Sequence, residues 1–222
     1  MVSRASVRSV ARFVVAAVVV AVVGGAAACG GDEPDPVQDV RSSYAAYAKA
    51  VSVKDGGTSS GLVSGSTLDY YARLRDLALT ADRDALGRER VIDQLAVLSM
   101  RANIPADTLR TADPRGVVAA AVKSQVISGG GAGATELGEV KVTGDEATAT
   151  LGVGGSQEVP MRFQREGGGW KVDLTGLLAP AEAALEAALQ REKLTPERLL
   201  QQVMTTRVGA AKAERLWEPL GR

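Results

Sequence analysis

Histidine is absent from this chain of 222 residues, and Cys29 is its only cysteine. Ser-His-Asp triads, Cys-His pairs and ordinary zinc sites all need residues that the chain lacks, so the sequence excludes them. The thiol of Cys29 likewise has no histidine to act as its base. We therefore predict no catalytic residue, no metal ion and no cofactor, and we favour a protein that is not an enzyme.

Aromatic side chains and net charge are scarce as well. Phe, Trp and Tyr make up 4% of the chain, and 26 basic side chains balance 26 acidic ones. Carbohydrate and single-stranded nucleic acid bind by stacking on aromatic rings, and nucleic acid also needs a basic surface. The composition therefore argues against both kinds of partner.

Charge and hydropathy are patterned at the N-terminus. Arg4, Arg8 and Arg12 precede the run FVVAAVVVAVV at residues 13–23, which contains no polar side chain. As a helix this run rises only about 16 Å, roughly half the thickness of a bilayer core. A basic start followed by a short apolar run is typical of a signal peptide, which we place at residues 1–28.

Cys29 follows three small residues, Ala26 to Ala28, and two processing routes fit them. A general signal peptidase accepts an A-x-A sequence and would release a free secreted protein. Small residues directly before a cysteine also resemble a bacterial lipobox, although that pattern usually has a larger aliphatic residue where this chain has Ala26. The resemblance implies that Cys29 becomes the mature N-terminus and carries a thioether-linked diacylglycerol, with acyl chains such as palmitate.

Lipidation also explains why a lone cysteine lies between an apolar run and the polar stretch GGDEPDP, where nothing can bury it. A free thiol on an exported protein is open to oxidation and wrong pairing. We therefore predict a lipid-anchored protein of the cell envelope, held in the cell membrane and facing outside the cytoplasm. Residues 29–36 form the lipidated tether, and residues 37–222 form a single domain.

The mature domain is predicted to be α+β. Between residues 136 and 176, alternating hydrophobicity and the turns GDE and GGG indicate four antiparallel strands. Helical periodicity and capping residues predict helices on both sides of this sheet. The predicted helices begin at Asp35-Pro36, near Leu62 and Val63, at Ser66 with Asp69, at residue 89, at Asp113-Pro114, after Pro180 and at Thr195-Pro196.

Alternate residues of the predicted strands point to opposite faces of the sheet. The apolar face, which the helices should cover, collects Val140, Val142, Ala147, Ala149, Leu151, Val159, Met161, Phe163, Trp170, Val172 and Leu174. The opposite face is polar, and we interpret its Arg162, Lys171 and Asp173 as solvated cross-strand charges.

Ionisable side chains can still enter the interior from the helices. The candidates are Tyr44, Tyr47, Asp69, Tyr71 and Arg101. A tyrosine with an aspartate in an apolar pocket is an arrangement that serves enolisation chemistry. Each candidate is also explained more simply as a helix-surface residue or an amphipathic tyrosine of the core.

The predicted elements begin with a tyrosine-bearing helix that ends at KDGG and close with the strand of GGGWKVDLTGLL. This order resembles the NTF2-like superfamily (cystatin-like cone fold), in particular its exported, often lipidated members. The resemblance covers about residues 37–177, and the helices after Pro180 are additional. It implies a pocket inside the cone, for which the candidate residues are Tyr44, Tyr47, Tyr71, Met161, Phe163 and Trp170. No catalytic residue carries over, because the inward strand positions of this chain are aliphatic or aromatic.

Members of that superfamily include ketosteroid isomerases, small-ligand binders and interaction modules, so the fold does not select one function. We favour a non-catalytic binding or interaction module; the alternatives are an acid-base enzyme and a carrier of a lipophilic ligand in the cone pocket. A cone filled by the bulky side chains of its own strands would exclude the enzyme. An interaction protein predicts an exposed apolar patch near Leu199, Val203 and Trp217. The expected partners are the membrane, through Cys29, and either a protein or a small hydrophobic ligand.

Overall fold

The computed structural model describes residues 35–128, 137–153 and 157–221. Within these ranges the chain forms ten α-helices and one open, four-stranded antiparallel sheet, so the predicted α+β class is confirmed. The elements are α1 Pro36–Ser52, α2 Gly56–Gly61, α3 Gly65–Thr80, α4 Arg83–Gly87, α5 Val91–Asn103, α6 Ala106–Thr111, α7 Pro114–Lys123, β1 Leu137–Thr143, β2 Glu146–Val153, β3 Gln157–Glu166, β4 Gly169–Asp173, a 3₁₀ turn Leu174–Leu177, α8 Leu178–Glu192, α9 Pro196–Val208 and α10 Ala210–Arg215.

Three helices begin at the Asp-Pro and Thr-Pro pairs that the sequence marks as helix starts. Asp35 caps α1 by accepting a hydrogen bond from the backbone N–H of Val37 at 3.0 Å, and Asp113 and Thr195 cap α7 and α9 in the same way. In each case proline occupies the first turn, where its missing N–H costs nothing. These local signals therefore placed the three helix starts correctly.

The start of α3 differs from the prediction. Ser64 is its N-cap, with the hydroxyl accepting from the N–H of Thr67 at 3.3 Å. Ser66, the predicted cap, donates instead to the carboxylate of Asp173 at 3.1 Å, and Asp69 lies exposed on the helix surface. The hydroxyl that caps the helix is thus that of Ser64, while the hydroxyl of Ser66 joins the helix to the sheet.

The short helix expected near Leu62 and Val63 lies earlier, at Gly56–Gly61. Val63 instead forms a parallel bridge with Val172 of β4, and the N–H of Val172 donates to the Leu62 carbonyl at 2.8 Å. A Cβ on Gly56 would lie 2.2 Å from the Ala119 carbonyl oxygen in α7. Close packing of α2 against α7 therefore requires glycine at this position.

The sheet has the strand order β1-β2-β3-β4. Its register places the residues of the predicted apolar face next to one another on neighbouring strands. Ala149 pairs with Met161, and Phe163 lies between Ala147 and Val172. All five of these side chains are buried, so the assignment of the apolar face is confirmed. The first helix contacts this sheet through Ser43 Oγ, which donates to the Trp170 carbonyl at 2.6 Å.

Asp173 was expected among the solvated charges of the other face, and that expectation is wrong. Its side chain is 2% exposed. One carboxylate oxygen accepts from the Ser66 hydroxyl and from both the N–H and the hydroxyl of Thr175, at 2.6 to 3.1 Å. The carboxylate ends β4 by capping the 3₁₀ turn, a role that strand alternation does not reveal.

The C-terminal helices are tied to the rest of the domain by buried polar contacts. The guanidinium of Arg101 donates to the backbone carbonyls of Leu77, Ala78, Ala81 and Leu216. Burial lowers the pKa of this guanidinium to about 10. Arg101 therefore holds the end of α10 against the end of α3.

The exposed apolar patch expected on the C-terminal helices is absent from the part of the chain that the structure describes. Trp217 is 2% exposed, and its indole N–H donates to Gln201 Oε1 at 2.9 Å. Leu199 and Val203 are half-buried. Among the described helices, none combines the length and hydropathy needed to span a bilayer.

Candidate ligand-binding cavity

A cavity of about 980 Å³ lies between the second half of α1, α3, α5, strands β2 and β3, and the segment 174–181 that leads into α8. Its volume falls at the upper end of the range of about 300–1,000 Å³ that is usual for small-molecule sites. Most of the wall is apolar, including Leu95, Leu151, Val159, Met161, Leu174 and Leu177. The sheet provides the floor of this cavity and the helices provide its sides.

All four tyrosines of the chain line the cavity. Tyr44 and Tyr47 are spaced i, i+3 on α1 and therefore share one helix face. Tyr70 and Tyr71 lie on α3, with their rings edge to face at a centroid distance of 5.4 Å. The cavity thus combines a hydrocarbon floor with phenol groups on two neighbouring helices.

Three of the four phenol hydroxyls are available to a ligand. The Tyr70 hydroxyl donates to Asp93 Oδ1 at 2.7 Å, whereas those of Tyr44, Tyr47 and Tyr71 have no hydrogen-bond partner among the described residues. Burial raises the pKa of each of the four tyrosines above the usual value of a phenol. The hydroxyls are therefore neutral groups that can donate or accept a hydrogen bond.

The structure places four of the six predicted pocket residues in the cavity wall: Tyr44, Tyr47, Tyr71 and Met161. The other two, Phe163 and Trp170, do not line it. Both are buried, and the ring of Phe163 contacts that of Tyr44 edge to face at 6.4 Å.

The reason for this division lies in how α1 crosses the sheet. Inward-facing positions alternate along β3, so Val159, Met161 and Phe163 lie in succession on one face. Phe163 lies against Tyr44 of α1, while Val159 and Met161 line the cavity. Bulky residues of the strands therefore fill one half of the sheet face and leave the other half to a pocket.

A buried carboxylate that the sequence reading missed lies behind Tyr70. Asp93 is 1% exposed. It accepts from Arg73 at 2.6 Å, from Arg90 at 3.0 and 3.1 Å, and from the Tyr70 hydroxyl. The spacing of Arg90 and Asp93 at i, i+3 is the one signal in the sequence that pointed to this cluster.

Exposed cations stand at the edge of the cavity. Lys49, Lys54 and Arg207 all line it and are all exposed. Lys54 Nζ donates to Gln125 Oε1 at 3.0 Å, and no aspartate or glutamate is among the described residues that line the cavity. The cavity therefore presents an apolar interior, neutral hydroxyls and a positively charged rim.

The remaining candidates from the sequence lie outside the cavity. Asp69 is exposed on α3, and Arg101 is engaged with backbone carbonyls. Across the described ranges, no group of three His, Cys, Asp or Glu side chains is arranged to hold a metal ion. A scan against protein-family models, a search of curated proteins and a search of solved structures each gave no match.

Proposed function

We propose that this chain is a non-catalytic binding protein that holds a small lipophilic ligand in the cavity. The observation that carries this proposal is the composition of the wall: apolar side chains with the neutral, unpartnered hydroxyls of Tyr44, Tyr47 and Tyr71. Burial of apolar ligand surface supplies affinity, and a few hydroxyls fix orientation, which is the usual division of work in ligand pockets.

The same geometry argues against acid-base catalysis in this cavity. An enolisation site needs a carboxylate or another base within hydrogen-bond reach of the substrate. The buried carboxylate of Asp93 is bonded to the wall residue Tyr70, and its oxygens also accept from Arg73 and Arg90. A tyrosine with a raised pKa stays protonated at neutral pH and can orient a ligand without taking a proton from it.

An NTF2-like cone is the fold we propose for the domain. It is supported by a tyrosine-bearing first helix against an antiparallel sheet whose apolar face opens into a pocket. The C-terminal helices would then be additional to the cone. They contribute to its wall through the segment that leads into α8, which lines the cavity.

We further propose that the protein is a cell-envelope lipoprotein anchored through Cys29. Cys29 and residues 30–34 lie outside the described residues; the support is the basic and apolar N-terminus followed by small residues and a lone cysteine. Since α1 begins at Pro36, the tether of residues 30–35 reaches at most about 20 Å. Replacing Cys29 with Ser should move the protein from the membrane fraction to the soluble fraction; retention in the membrane would contradict the anchor.

Binding is tested by titrating the delipidated protein with a neutral, environment-sensitive dye such as Nile red. We expect saturable binding of one dye per chain, and native mass spectrometry of protein taken directly from cells should show a copurified lipophilic species. Weak, unsaturable dye binding together with ligand-free protein from cells would overturn the proposal.

A further inference from the structure

We infer that the cavity selects an amphiphile with one anionic head, such as a carboxylate or phosphate, and that Lys49, Lys54 and Arg207 contact that head. The inference rests on the proposed function, because it assigns a ligand class to the same cavity. It adds the charge of the ligand, because an apolar interior alone would not favour an anionic ligand over a neutral one.

The three cations reach one rim from separate parts of the chain. Lys49 is in the last turn of α1, Lys54 follows that helix, and Arg207 is in the last turn of α9, far along the sequence. All three line the cavity and are exposed. The fold therefore places three exposed positive charges in the wall of one cavity.

No carboxylate neutralises this rim among the described residues. Within the described ranges, Lys49 and Arg207 form no ion pair, and Lys54 Nζ donates to the neutral amide oxygen of Gln125. Elsewhere in the fold several arginines are paired with acidic side chains, among them Arg73, Arg83 and Arg110. The cations of the rim are thus free to form charge-assisted contacts with a bound anion.

The interior fits the rest of such a molecule. The acyl chain or ring would lie on Leu151, Val159 and Met161, which line the floor. The hydroxyls of Tyr47 and Tyr71 are neutral, so the wall carries no negative charge that would repel an anionic head.

A last-turn lysine or arginine also stabilises its own helix by complementing the helix dipole. That role accounts for Lys49 and Arg207 one at a time. It does not explain why both residues line one cavity and have no acidic partner among the described residues. The two roles differ in a measurable way, because only a head-group contact makes binding depend on the charge of the ligand.

The experiment compares oleate with oleyl alcohol, which has the same chain and no charge, as competitors of Nile red on the delipidated full chain. Oleate should bind about tenfold more tightly than the alcohol, the size expected for two or three partly exposed charge-assisted contacts. Added salt should reduce this preference by screening the exposed charges. Acetate and inorganic phosphate alone should not displace the dye, because they lack the apolar part.

The variant Lys49→Gln/Arg207→Gln should lose most of the preference and keep its affinity for oleyl alcohol. The matched control is Lys123→Gln/Arg191→Gln, which removes last-turn cations from α7 and α8 outside the cavity. This control should retain the preference while losing comparable helix-dipole stabilisation, read from urea unfolding.

The outcomes separate the two proposals. If neither competitor displaces the dye, the proposed function and this inference both fail. Equal affinity for oleate and alcohol overturns the inference alone. If the Lys49→Gln/Arg207→Gln variant still prefers oleate to oleyl alcohol, the inference is also overturned, because the cations of the rim would then not be the cause of the preference.

Discussion

The Tyr70 hydroxyl donates to Asp93 at 2.7 Å and thereby connects the cavity wall to a buried carboxylate that two arginines also bind. Of the four tyrosines of the cavity, Tyr70 is the one whose hydroxyl donates to another of the described residues. The Asp93 cluster therefore supports the cavity wall, and its loss should lower the free energy of unfolding.

Replacing Asp93 with Ala should destabilise the fold by about 2–3 kcal/mol, because it removes the acceptor of the Arg90 guanidinium and of the Tyr70 hydroxyl and one of the two carboxylates that Arg73 contacts. Arg73 and Arg90 are partly solvated, which keeps the cost below that of a fully buried pair. Urea unfolding measures the change. The control is Asp76→Ala. Asp76 forms an ion pair with Arg75, but its carboxylate is exposed, so this pair should contribute about 0–1 kcal/mol. Equal effects of the two variants would show that Asp93 has no special role.

The four tyrosines should not ionise at their ordinary pKa while the protein is folded. Burial raises the pKa of each one, so the folded state favours the protonated phenol. Their contribution to stability is complete below about pH 10, the pKa of an unfolded tyrosine. It is lost as the pH rises further, because the unfolded state then releases protons that the folded state retains.

Tyrosinate absorbance during an alkaline titration checks this prediction. The folded chain should show little signal near pH 10 and then a cooperative rise when it unfolds; the same chain in urea should titrate smoothly around about pH 10. Four tyrosines that titrate normally in the folded protein would contradict the burial of the cavity wall.

A bulky side chain at Ala181 should block the cavity. Ala181 lines it at the start of α8, while Ala187 lies exposed on the same helix. Ala181→Phe should therefore reduce affinity for Nile red at least tenfold, and Ala187→Phe should leave it unchanged; a tenfold loss corresponds to about 1.4 kcal/mol. Identical dye affinities in the two variants would place the binding site elsewhere.

Glu182 joins α8 to the start of α5, and its removal should loosen that wall. Its carboxylate accepts from the N–H groups of Val91 and Ile92 at 3.2 and 2.9 Å, which are first-turn donors that α5 otherwise leaves without a side-chain cap. Glu182→Ala should cost about 1–2 kcal/mol. Glu186→Ala, an exposed position on the same helix, is the control. Hydrogen exchange at the first turn of α5 should accelerate only in the Glu182 variant.

Gly56→Ala should be destabilising by about 1–3 kcal/mol through overpacking, because the new methyl group would collide with the Ala119 carbonyl. Gly61→Ala in the same short helix meets open space. That control should be neutral or stabilising by about 0.5–1 kcal/mol, since alanine loses less backbone entropy on folding. Thermal unfolding of both variants tests the prediction, and a harmless Gly56→Ala would mean that α2 and α7 are less tightly packed.

Features set by neighbouring residues were predictable from the sequence. Asp35, Asp113 and Thr195 each cap a helix with groups two or three residues away, and strand alternation correctly grouped Met161, Phe163 and their neighbours on one face. The α+β class follows from these local patterns, because helical and strand periodicities differ.

Features set by packing between distant elements were not predictable in this way. Whether Phe163 or Met161 borders the cavity depends on where the helices pack on the sheet, and no local signal encodes that position. Trp217 and Asp173 were misplaced for the same reason, since Gln201 and Ser66, which hold them inside, belong to other helices.

The entry of α8 into the cavity wall has a consequence for the scaffold as a whole. The segment 174–181 follows the last strand of the sheet and closes one side of the cavity. Without this segment, the floor and the tyrosines would border an open groove. Changes after residue 173 should therefore alter the shape of the cavity and the stability of the domain together, because the same C-terminal segment supplies Leu200, Met204 and Trp217 to the core.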